Sequence, residues 1–185
     1  MAVILKGTVL GAVIIFAWMA ISWMFIPWHH QMFDHFKSEA GVTTAILRNI
    51  DKSGIYQISP IMEKEGTKSS SKKPFYMMAI VNLDQSDGRV ALAYIYGFFN
   101  QVAVAFFFTL FTKMARIGSY AGRVLFVVGL SFAGMLMGLL PFWIWWQFPI
   151  HFIGVHALDL AIGWFLAGLA IAFVTKRANH VVSLQ

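Results

Sequence analysis

Hydrophobic residues in this chain gather into long runs and do not alternate with polar ones at the period of a strand or an amphipathic helix. Four runs reach the roughly 20 apolar residues that a bilayer crossing requires. They cover 7–27 (GTVLGAVIIFAWMAISWMFIP), 90–111 (VALAYIYGFFNQVAVAFFFTLF), 124–147 (VLFVVGLSFAGMLMGLLPFWIWWQ) and 150–173 (IHFIGVHALDLAIGWFLAGLAIAF). One such run could be a buried helix of a soluble protein, but four in so short a chain predict an all-α membrane protein. The first run exceeds the h-region of a signal peptide, about 7–15 residues, and shows no small-x-small cleavage site before Trp28. It reads as an uncleaved anchor.

Between the first two runs the pattern changes. In 28–89, Phe33, Phe36, Val42, Ala45, Ile46 and Ile50 recur at helical spacing. Ser38 is placed to cap a helix that starts at Glu39, an acid suited to a first turn. The turn DKSG leads into a short strand, IYQIS, which ends at Pro60. MEKEGTKSSSKKP (62–74) is polar and reads as a mobile loop, and FYMMAIVNL is a second strand closed by DQSDG. The expected fold is therefore a four-transmembrane-helix bundle with a small extracytoplasmic helix-plus-hairpin insertion. Its parts are 1–27 (first span), 28–89 (insertion) and 90–185 (three spans and a tail).

Charge orients this arrangement. Lys6 precedes the first span, Lys113, Arg116 and Arg123 separate the second from the third, and Lys176 and Arg177 follow the fourth. No acid accompanies these six, whereas seven of the eight acids lie in 28–89 beside eight basic residues. The positive-inside rule then places both termini in the cytoplasm, as an integral protein of a plasma membrane or bacterial inner membrane. The net charge of +6 follows from topology, with lipid as the partner and no nucleic-acid reading required. Trp28, Trp143, Trp145 and Trp146 fall at the outer ends of spans, as an aromatic belt would. With no cysteine, thiol chemistry and disulfide stapling are excluded.

The eighth acid, Asp159, lies inside the fourth run, nine residues from Ile150 and so about 14 Å deep. A carboxylate there must face the bundle and find partners. Asn100 and Gln101 reach the same level on span two, and His156 and Tyr96 lie one turn further out. Below Asp159 the face carries Ile162, Gly163, Leu166 and Ala170, so the polar layer is expected to open outward and to close toward the cytoplasm. Asp159 then either fixes helix register or belongs to a ligand-binding layer of His156, Asp159, Asn100, Gln101 and Tyr96. His29, His30, His151 and His156 are candidate metal or haem ligands, with His35 nearby. The His30/His35 and His151/His156 spacing of five cannot chelate from one helix, so such a site needs two spans. Small residues at Gly7, Gly11, Gly97, Gly134, Gly138 and Gly168 mark faces for close helix packing.

The sequence holds no phosphate-binding Gly-Lys loop, His-Glu-x-x-His, Gly-x-Ser-x-Gly or dinucleotide fingerprint, and no inverted repeat. Three functions remain open. The leading one is a non-catalytic accessory, assembly or envelope-interaction subunit that contacts other membrane or extracytoplasmic proteins. The second is a binding or transport protein for a cation, metal or small polar ligand, using an outward-facing pocket at Asp159. The third is a haem- or metal-linked redox subunit, the cofactor being unspecified.

Overall fold

The computed structural model describes residues 1–59, 75–83 and 87–176. The elements are helix α1 (Ala2–Phe25), a 3₁₀ turn (His30–Met32), helix α2 (Glu39–Leu47), strands β1 (Gly54–Ile58) and β2 (Met77–Val81), and helices α3 (Asp87–Met114), α4 (Tyr120–Gly138), α5 (Leu140–Trp146) and α6 (Ile150–Val174). Four helices are long and apolar enough to cross a membrane: Ala2–Phe25, Gly88–Met114, the α4–α5 pair Tyr120–Trp146, and Ile150–Val174. The chain divides into two compact units, Met1–Phe33 with Ala91–Gln185, and Asp34–Val90.

In the first unit α6 is the central helix, packed on α1 along one side and on α4 along another. Small residues allow this. A side chain at Gly168 would meet Val127, and one at Gly11 would meet Ile171 and the Cβ of Ala105. The core joins Ala12 and Ile15 of α1, Ala105 of α3, Val127 of α4, and Trp164, Ala167 and Ile171 of α6. At the far end of α1, a Cβ at Gly7 would meet Thr109 of α3 and lie 3.1 Å from Val174 of α6, so α1 begins where α3 and α6 end. Gly97, Gly134 and Gly138, by contrast, have no neighbouring atom within 4 Å of a Cβ position. Their small faces are open.

Breaks in the helices follow proline. Pro141 has no N–H to donate and its ring collides with a carbonyl one turn back, so the third run divides into α4 and α5. Gln147, at φ 57°, adopts the left-handed conformation that ends α5, and Pro149 opens α6.

The second unit follows its local signals. The Ser38 Oγ accepts a hydrogen bond from the Gly41 N–H at 3.2 Å and caps α2 with Glu39 in its first turn. Strands β1 and β2 pair antiparallel with Gly54 opposite Val81 and Ile58 opposite Met77. The 62–74 loop lies outside the described residues.

Candidate functional site

The site begins with the end of α1. Pro27 biases the residue before it away from helical geometry, and Ile26 is extended at φ −100°, ψ 124°. Residues 27–29 then turn, with the Gln31 N–H donating to the Pro27 carbonyl at 3.2 Å, and the chain doubles back. This return carries His29 onto Ser22, one turn inside α1. Ser22 Oγ and His29 Nε2 are 3.0 Å apart, and the Trp28 indole donates to the same Ser22 Oγ at 3.0 Å.

From α6, Asp159 closes the cluster. The Trp18 indole N–H points at its carboxylate Oδ1 at 2.7 Å and at its main-chain oxygen at 3.0 Å. The other carboxylate oxygen, Oδ2, lies 3.3 Å from His29 Nε2, a distance for ion pairing without hydrogen-bond alignment. Gly163 makes this approach feasible. A Cβ there would collide with Ile15 and lie 2.7 Å from Trp18 Cδ1, so a larger residue would push the indole away from the acid.

Aromatic rings complete the enclosure. Trp23 stacks on His29 with ring centroids 4.0 Å apart and planes 12° off parallel, and Trp28 meets the same imidazole edge-on. His156, one turn along α6 from Asp159, is held edge-on by Phe152 at 4.4 Å and lies 5.9 Å from the His29 ring. His29 is fully buried and Asp159 is 1% exposed.

A serine, a histidine and an aspartate thus meet, but not as a nucleophilic triad. In a triad the serine and the acid engage opposite ring nitrogens. Here Ser22 and Asp159 both approach Nε2, while Nδ1 is buried without a hydrogen-bond partner. A proton on Nε2 lies between Ser22 Oγ and Asp159 Oδ2 and attracts both. Without that proton, the Ser22 hydroxyl donates to Nε2 and the Asp159 carboxylate faces a lone pair. The first arrangement is complementary.

The structure brings together only part of the residue set expected from sequence. Asp159 and His156 share a face, but the hydrogen bonds of Asp159 run to Trp18 and not to Asn100 or Gln101. The cause is the rotation of α3. Its inward face carries Ala105 and Thr109, both fully buried, and Asn100 lies about 140° around the helix from Ala105. Asn100 is exposed, Gln101 half-buried and Tyr96 67% exposed. The layer that was expected to open outward is closed at Asp159. Of the four histidines considered as ligands, His29 and His156 approach each other, while His30 and His151 are exposed. Among the described residues, no three His, Cys, Asp or Glu side chains form a group that could hold a metal. His35 pairs with Glu39 at 3.4 Å on an exposed surface of the second unit.

Trp18, Ser22 and Gly163 join the site from outside the expected set, and the sequence carries a signal for the first two. Gly11, Ile15, Trp18 and Ser22 recur at intervals of four, three and four, the spacing of a single helix stripe. No family model, curated protein or solved structure matches the chain.

Proposed function

We propose that this chain is an integral membrane protein acting as a non-catalytic accessory or assembly subunit, with both termini cytoplasmic. Its Asp34–Val90 unit and open helix faces make the partner contacts. The observation that carries this reading is the closure of the polar cluster. The one acid in the four apolar helices is 1% exposed and bonded to Trp18 of α1, so it joins first helix to last and is closed off from the surface of the bundle. Intramembrane carboxylates are otherwise expected to mark ligand or proton paths. The uncovered Gly134 and Gly138 of α4 agree with a partner helix, since small residues allow close approach. Affinity purification from native membranes in mild detergent tests the proposal. A stoichiometric second chain is expected, and a lone monodisperse protein contradicts it.

One observation favours a second reading. His29 Nδ1 and Asp159 Oδ2 are buried without hydrogen bonds, and such atoms suit a proton or a small polar ligand entering the cluster. In that case Asp159→Asn abolishes ligand-dependent thermal stabilisation while the fold survives. Stabilisation that persists in the variant removes this reading.

A further inference from the structure

Where α1 begins and α3 and α6 end, a cavity of about 290 Å³ is lined by Val3, Thr112, Lys113, Arg116, Thr175 and Lys176, with Ile117. This volume lies at the low end of small-molecule pockets, about 300–1,000 Å³, and suits a compact polar group. Three of the lining residues are cations. The ion pairs among the described residues are His29–Asp159 and His35–Glu39, so Lys113, Arg116 and Lys176 have no acidic partner there. Nor does the sequence of the first unit supply one near them, because 1–33, 91–158 and 160–185 contain no Asp or Glu. Asp159 itself is about 22 Å back along α6 from Val174 at 1.5 Å per residue.

The surrounding polar groups leave recognition to these cations. Thr112 and Thr175 donate their hydroxyl protons to the Phe108 and Ile171 carbonyls of their own helices, each at 2.7 Å. The Ile117 and Gly118 carbonyls accept from Arg123 Nη1 at 3.0 and 2.9 Å. Arg123 is 3% exposed, and its Nε donates to the Ala172 carbonyl at 2.9 Å. It therefore pins the turn bearing Arg116 to the end of α6, near Lys176, and adds a fourth positive charge. Arg116 is held in the left-handed region at φ 52°. Like charges gathered at the border of an apolar bundle repel with little screening, and an anion relieves that repulsion.

We propose that Lys113, Arg116 and Lys176 form a binding site for the phosphate of an anionic phospholipid headgroup. The site depends on the membrane reading above, which puts these helix ends at headgroup level, where basic pockets between helices recognise acidic lipids. Exposed Met114 and Phe173 next to the lining residues give the acyl chains an apolar surface.

Native mass spectrometry of the detergent-purified chain tests the site with phosphatidylglycerol, phosphatidylcholine and inorganic phosphate as probes. Phosphatidylglycerol is expected to be retained in preference to phosphatidylcholine, without competition from inorganic phosphate. Combining Lys113→Gln with Lys176→Gln should weaken retention about thirtyfold, from the per-cation effect near a membrane surface. Arg116→Gln should weaken it about fivefold. Lys6→Gln removes a charge from the same end of α1 but off the cavity, and should leave retention unchanged. Equal loss in the Lys6 variant, no headgroup preference, or competition by inorganic phosphate overturns the lipid site. A membrane-extracted chain with any of these results leaves the membrane reading intact. A chain recovered from the aqueous fraction without detergent overturns both.

Discussion

Removing the Trp18–Asp159 bond isolates the interaction that joins the first helix to the last. Its strength can be bounded from geometry. Interhelical hydrogen bonds inside membranes average about 0.6 kcal/mol in double-mutant cycles and reach about 1.7. A bond to a charged acceptor is roughly twice a neutral one, and the 2.7 Å separation is in the charge-assisted range. The expected coupling is therefore about 1–1.5 kcal/mol, close to tenfold in an equilibrium constant. Each single variant also loses packing, because Trp18 lies against Gly163 and Asp159 against His29, so neither alone reports the bond. A cycle of wild type, Trp18→Phe, Asp159→Leu and the double variant cancels those losses. Equilibrium unfolding in mixed detergent micelles supplies the four free energies. If the two substitutions add to within about 0.5 kcal/mol, the limit for independent sites, the bond does not hold α1 to α6.

Four further outcomes follow from the same packing. Gly163→Ala should destabilise the protein by about 1–3 kcal/mol through collision with Ile15 and Trp18. Gly134→Ala, with open space at its Cβ, should instead stabilise α4 by about 0.5–1 kcal/mol; thermal unfolding separates the two signs. Ser22→Ala leaves the half-buried Trp28 indole donor unpaired and should cost about 1 kcal/mol, again read as a lower unfolding temperature. Arg123→Lys cannot serve the Ile117, Gly118 and Ala172 carbonyls together, so amide exchange across 115–118 should accelerate; unchanged protection would show that the guanidinium does not hold the turn.

Much of the fold could be read from the residues because hydropathy and caps act locally. The four long helices follow from apolar run length, and Ser38 with Glu39 marks the start of α2 to the residue. The hairpin follows from β-rich runs bounded by turn residues. What the sequence does not encode locally is the order and rotation of helices around the bundle. Depth alone matched Asp159 with Asn100 and Gln101, since all lie at one level. The partner was instead set by the pairing of α1 with α6, the first and last long helices, and by the rotation of α3 that turns Asn100 outward. His29 was legible as a histidine near the mouth of the bundle, but its return onto Ser22 depends on the turn after Pro27. Gly163 appeared as one more small residue on an apolar face. Its role emerges only from the indole lying over it.

The closure of the polar cluster is best tested by reaction of the folded protein with dicyclohexylcarbodiimide, an apolar reagent that attacks carboxyl groups accessible from hydrocarbon. Peptide mapping by mass spectrometry then reads modification at Asp159. Burial of Asp159 against Trp18 and His29 predicts that it stays unmodified in the folded chain and reacts after denaturation. Rapid modification of Asp159 in the folded, monodisperse protein would contradict the account.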